Sequence, residues 1–144
     1  MSEKINLEKF IPYRLARIAT LISRDLQETY SKHSHLTVPE WRVLVTLGDF
    51  EKMTAKEIGR HSSMHKTKVS RAVRALEDRR WLVRTENEID RREEYLSLSA
   101  KGKEIYYDLV PFALNFQKKI LNTLGKDAER FQELLTRIEK HYEK

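Results

Sequence analysis

The chain has 144 residues, 40% of them apolar and 35% charged, and a formal charge of +6. That length suits one folding unit with a real core, and the mixture is that of a helix-rich folded protein, which excludes a disordered chain. There is no cysteine and no apolar run near the roughly 20 residues of a membrane span, and Ser2-Glu3-Lys4 does not lead into an apolar signal segment. Disulfide scaffolds, thiolate metal sites and thiol redox switches are excluded. No membrane partner and a cytoplasmic location are expected.

Leu15, Ile18, Ile22 and Leu26, with Leu21 beside them, predict a helix from Phe10 to Tyr30 with one long apolar stripe and Pro12 in its first turn. His33-Ser34-His35 reads as a break. Thr37-Val38-Pro39-Glu40 opens a second helix, with Trp41, Leu44, Val45 and Leu47 on its buried side and Gly48 as its end. Thr54 and Glu57 have the spacing of a capping box, hydroxyl and carboxylate each satisfying a free backbone N–H, and predict a short helix to about His61.

Ser62-Ser63-Met64 is the next break, followed by a helix around His65 to Arg79. At 100° per residue, Val69, Ala72, Val73 and Leu76 gather on one side, and Thr67, Ser70, Arg71 and Arg74 project from the other. Trp81 to Thr85 and Tyr95 to Leu98 predict a hairpin with a charged tip over Glu86 to Glu94. Ser99 caps a long helix running toward Phe116, in which Pro111 predicts a kink or an end. Gly125 separates a last helix, about Asp127 to Tyr142, with Phe131, Leu134, Leu135, Ile138 and Tyr142 at helical spacing.

The charge is not spread evenly. Between Thr54 and Arg92 stand eleven lysines and arginines against six acids, which leaves a net of +1 for the rest of the chain. A basic segment built as short helix, turn and amphipathic helix is the footprint of a module that meets a polyanion, and double-stranded DNA is the expected partner. Arg71 and Arg74 could fork onto guanine edges, Thr67 and Ser70 could contact bases or phosphates, and His65, Lys66 and Lys68 open the helix where free N–H groups favour phosphate. At the hairpin tip Arg91, with Arg92 beside it, suits a narrow electronegative minor groove, whereas Asp90 suits a structural role, pairing with a cation to set the angle of the tip.

The terminal helices carry apolar stripes too long for a small central module to cover. Pairing with a second copy would bury them, and so would folding back within one monomer; a two-fold dimer would also place two reading helices one DNA turn apart on a pseudo-palindrome.

The run Met64 to Arg71, then Asp90-Arg91-Arg92, then Leu96-Ser97-Leu98-Ser99-Ala100-Lys101-Gly102 resembles the MarR family of bacterial regulators, and the helix plan agrees over essentially the whole chain. The resemblance implies a mainly α fold with a small β-hairpin: a winged helix-turn-helix over 37–99 within a single domain of 1–144, with dimerisation helices at 5–33 and 100–144. It implies a homodimer that binds operator DNA, usually as a repressor, and releases it when a small-molecule effector such as an aromatic carboxylate binds. Arg14 and Arg17 could pair with that carboxylate and Trp41 could wall the pocket, or the arginines could lie at an interface and Trp41 in the core. Arg80 departs from the glycine common in relatives after the reading helix, and a left-handed backbone there would strain it by about 1 kcal/mol.

No enzyme is expected, because His61, Ser62, Ser63 and His65 lack an orienting group and an oxyanion site. No cofactor or metal is expected either. The alternatives are a zinc-responsive regulator using His33 and His35, and a protein-interaction module without DNA binding, which would leave the basic face unexplained.

Overall fold

A computed structural model describes residues 2–143. In chain order its elements are α1 (Ile11–Ser34), α2 (Val38–Phe50), β1 (Lys52–Thr54), α3 (Ala55–Ser62), α4 (Lys66–Asp78), β2 (Leu82–Glu86), β3 (Glu94–Leu98), α5 (Ala100–Asn122), a 3-10 turn (Gly125–Asp127) and α6 (Ala128–Tyr142). They form two compact units, one ending at Val110 and the other beginning at Pro111. No helix among the described residues is long and apolar enough to cross a membrane.

The first unit holds the core. Tyr30, Leu36, Val43, Leu44, Leu47, Ile58, Val69, Val73, Leu76, Leu82, Leu96, Leu98 and Leu109 are buried, so α2, α3, α4, the hairpin and the start of α5 close on one apolar centre. The sheet has the order β1-β3-β2, antiparallel throughout, with Met53 opposite Leu96 and Arg84 opposite Leu96 on its other side. Strand β1 is absent from the sequence reading, since three residues are too few for an alternating pattern to show.

Local chemistry explains the boundaries. Thr37 caps α2 in a reciprocal box: its Oγ1 accepts from the Glu40 N–H, and Glu40 accepts from the Thr37 N–H. At Thr54 only half of the expected box forms. Its Oγ1 accepts from the Glu57 N–H at 3.1 Å, but the Glu57 carboxylate takes the Thr54 hydroxyl instead of a backbone N–H.

Gly48 does not end α2, which runs on to Phe50 before Glu51 turns left-handed with φ 66°. A Cβ on Gly48 would collide with the Tyr106 ring, so this glycine makes room for α5 rather than a turn. Nor does α5 end at Pro111: it continues to Asn122. A proline removes a single N–H donor, and a long helix can pass over that loss.

Helix α4 closes on a Schellman turn. The Arg80 N–H donates to the Glu77 carbonyl at 2.8 Å and the Trp81 N–H to the Leu76 carbonyl at 3.0 Å. Arg80 takes the left-handed position of that turn, with φ 64°. Ser99 fastens the next element to it: its N–H donates to the Trp81 carbonyl and its Oγ to the Arg80 carbonyl, while that Oγ accepts from the Gly102 N–H. A Cβ on Gly102 would collide with the Trp81 carbonyl oxygen, which is why the run after β3 needs glycine there.

The arms differ from this core. On α1, Leu15, Ile18 and Leu21 are exposed, and only Tyr30 and Ser34 are buried. In the second unit no residue of α6 is buried, and Phe131, Leu134, Ile138 and Tyr142 are exposed.

Arg80→Gly is expected to raise unfolding free energy by up to about 1 kcal/mol, the relieved left-handed strain less the added freedom of the unfolded chain, measured by urea denaturation. Tyr30 supplies a second test, because its buried hydroxyl has no hydrogen-bond partner and burial pushes its pKa from 10.0 to about 12. A raised phenol pKa contributes stability that is full below pH 10 and is lost as pH rises toward 12. Tyr30→Phe should match or exceed the parent by about 1 kcal/mol at neutral pH and lose less stability above pH 10; a variant that is much weaker at neutral pH contradicts the orphaned hydroxyl.

A candidate nucleic-acid interface

The turn between α3 and α4 is built from residues with little freedom. Ser63 is left-handed at φ 55°, and the Met64 N–H donates back to the Gly59 carbonyl at 3.0 Å. His65 then caps α4, its Nδ1 accepting from the Thr67 N–H at 3.2 Å. Val69, Ala72, Val73 and Leu76 are buried, and His65, Lys66, Thr67, Lys68, Ser70, Arg71 and Arg74 are exposed. Each fully buried Val or Leu contributes roughly 1.5–3 kcal/mol, so the apolar face fixes which polar side chains point out.

The hairpin is tied to this helix by a fork. Arg84 of β2 donates from Nε and from a terminal nitrogen to the two carboxylate oxygens of Glu77, both at 2.8 Å. Those hydrogen bonds hold the Glu77 carboxyl below its ordinary value and raise Arg84 above its own. The pair is half-exposed, so it fixes geometry more than stability.

The tip is ordered by two side chains. Asn87 is buried, and its Oδ1 accepts from the Ile89 N–H at 3.0 Å and the Asp90 N–H at 3.2 Å. Asp90 accepts from the backbone N–H of Arg92 at 3.1 Å and from its Nε at 3.2 Å, which lowers the Asp90 pKa. Arg91 reaches Glu86 at 3.4 Å. Both arginines stay open to solvent, with side chains 84% and 91% exposed, so each can exchange its carboxylate for a phosphate or base edge. A groove of about 760 Å³ runs between α3, α4 and the hairpin, and its walls set Lys56, Arg60, Lys66, Arg84 and Arg92 against Glu93 and Glu94.

Asn87, Glu77 and Arg84 escaped the sequence reading. Asn87 in a polar tip, with the Ile89 N–H two residues on, suits an Asx turn and was legible in principle; the Glu77–Arg84 fork joins a helix to a strand and leaves no periodic trace.

A second cavity, about 220 Å³, lies between α1 and α2 and is lined by Thr20, Ser23, Arg24, Gln27 and Arg42, with Ala19 and Val38. Arg14 and Arg17 are exposed on α1 outside that lining. Trp41 is in the core, 9% exposed and stacked on Tyr30 with ring centroids 4.4 Å apart. Among the described residues, no three His, Asp or Glu side chains gather as a metal site.

The model of the MarR family matches residues 35–93, the stretch from the end of α1 through the hairpin tip. A solved MarR-family transcriptional regulator from Silicibacter pomeroyi superposes with a TM-score of 0.82 at 26% identity, over 94% of this chain and 91% of that one. Over residues 35–93 the chain is similar to the MarR family. The chain is also 26% identical over 129 residues to the HTH-type transcriptional regulator YwoH of Bacillus subtilis, covering 89% of this chain and 93% of YwoH. Its fold further matches Bordetella bronchiseptica BpsR, whose DNA binding is regulated by 6-hydroxynicotinic acid, with a TM-score of 0.82 at 18% identity over 98% of this chain and 100% of BpsR.

Glu77→Gln should test the fork. The lowered Glu77 pKa contributes stability that is present above the ordinary carboxylate range and lost as pH falls through the lowered value. The variant should be weaker by up to about 1 kcal/mol at pH 7, and the gap should close as the pH is taken from about 5 toward 3. A gap independent of pH would contradict the pairing.

Proposed function

We propose that this chain is a MarR-family repressor that binds a pseudo-palindromic operator as a homodimer in the cytoplasm and releases it when a small aromatic carboxylate binds. The observation that carries the reading is the division of α4 into a buried apolar face and an exposed face bearing Thr67, Ser70, Arg71 and Arg74, with Arg91 and Arg92 held at the hairpin tip. His65, Lys66 and Lys68 stand at the helix start, where phosphate is favoured. In this reading α4 enters the major groove, Arg91 enters the adjacent minor groove and Asp90 holds the tip.

The exposed stripes of α1 and α6 support the dimer. Leu15, Ile18 and Leu21 on one arm and Phe131, Leu134 and Ile138 on the other repeat at helical spacing and are each 38–48% exposed. A second copy is the occupant that makes two reading helices available for two half-sites.

For the effector, the cavity between α1 and α2 places Arg24 and Arg42 on one small lined space, a fit for a planar carboxylate. Arg14 and Arg17 reach a ligand only where a second copy completes the site. The ligand that regulates BpsR, 6-hydroxynicotinic acid, has the right chemistry for a first probe.

In vitro selection of duplexes on the full chain tests the reading: a two-fold repeated motif is expected, and the absence of any enriched sequence overturns it. Sedimentation should give about twice the 17.2 kDa of the chain. On the selected duplex, Arg74→Ala should weaken binding by about 1–3 kcal/mol without changing the fold. Arg91→Ala should cost more affinity than Lys126→Ala, a surface control; equal losses exclude the minor-groove role. Arg42→Ala should abolish release by 6-hydroxynicotinate, if that probe releases the parent protein, while leaving DNA affinity intact.

A further inference from the structure

One side chain outside the DNA-facing surface touches four residues on three parts of the fold. Arg79, the residue after α4, donates from one terminal nitrogen to the Ser34 carbonyl at 2.6 Å and from the other to the His35 carbonyl at 2.9 Å. The second nitrogen also lies 3.7 Å from the Glu40 carboxylate, and the guanidinium covers the Trp81 ring at 4.7 Å. Ser34 and His35 close α1, Glu40 lies in the first turn of α2, and Trp81 leads into β2.

The chemistry suits arginine alone. The carbonyls of Ser34 and His35 are at the C-terminal, electronegative end of α1, where helix geometry leaves acceptors without donors. His35 itself turns left-handed at φ 58°. A planar guanidinium meets both carbonyls with separate donors while its face stacks on an indole; a lysine ammonium supplies the charge but neither the fork nor the stacking plane.

Arg79 is also badly placed to be a DNA ligand. It stands about 20 Å along α4 from His65, the end that carries the reading residues. Its side chain is 30% exposed, and its donors are directed at protein oxygens.

We propose that Arg79 is a positioning residue that fixes the angle of α4 against the α1–α2 pair and thereby sets the discrimination between operator and random DNA. This rests on the reading of α4 as the DNA-contacting helix. Base-edge hydrogen bonds require close placement of the helix, whereas phosphate attraction is long-ranged and tolerant, so a tilted α4 loses the first and keeps the second. The clamp also closes the α1–α2 joint beside the smaller cavity, since Val38 and Arg42, two of its walls, flank Glu40 in the sequence.

The test compares full-length parent, Arg79→Lys and Arg79→Gln on the duplex selected by the parent protein and on a scrambled duplex of equal length, across a salt series. Arg79→Lys should lose about tenfold or more on the selected duplex, stay within about twofold on the scrambled one, and keep the slope of log K against log salt. Trp81→Leu, which removes the stacking plane but keeps the fork, should give the same selective loss in smaller measure and covers a failure of Arg79→Lys to fold. Full affinity in Arg79→Lys overturns the proposal, as does equal loss on both duplexes. A slope shallower by about one unit in Arg79→Gln makes Arg79 a phosphate contact and overturns it too. A parent protein that binds both duplexes equally overturns the reading of α4 and this proposal together, whereas a discriminating parent with indifferent variants overturns this proposal alone.

Discussion

The chain reverses at Arg80, and the placement of α4, the hairpin and α5 all depend on how that reversal is closed. Two backbone hydrogen bonds finish α4, and Ser99, nineteen residues on, returns to the same turn with its own N–H and hydroxyl. Because the turn is shared, the end of α4, the root of β2 and the start of α5 are fixed by one local geometry. A left-handed arginine costs of order 1 kcal/mol there, and the surrounding bonds hold it in place regardless.

Around this turn the large and small energies do different things. Burial of Val69, Val73 and Leu76 holds α4 to the core at roughly 1.5–3 kcal/mol per side chain. The Glu77–Arg84 fork and the pairs at the hairpin tip are partly or wholly exposed and contribute little stability each. Their contribution is aim. The fork sets the hairpin against α4, the Asn87 amide oxygen folds the tip, and the Arg91 and Arg92 guanidiniums stand clear of the surface.

Much of this was legible in the sequence. Helical spacing separated Val69, Val73 and Leu76 from Thr67, Ser70, Arg71 and Arg74, and burial divides them in the same way. The capping threonines and the hairpin also left local marks, whereas of the break expected over His33 to His35 only His35 lies outside α1, because that helix runs on through His33 to Ser34. What was illegible depends on contacts between distant residues. Gly48 carries the same letter whether it ends a helix or admits the Tyr106 ring, and only the packing decides. Arg79 and Ser34 are separated by 45 residues, so no periodicity joins them. Trp41 belongs to the core because Tyr30 lies flat against it, and the arginines that line the smaller cavity are Arg24 and Arg42, set by the facing of α1 and α2 rather than by position along one helix.

The contact at Gly102 has a mechanical meaning. Its backbone passes the Trp81 carbonyl so closely that there is no space for one methyl group, and Leu98 closes the other side. Two segments in such contact cannot slide or roll past each other. The first turn of α5 and the root of the hairpin therefore meet backbone to backbone, and neither can shift toward the other without displacing it.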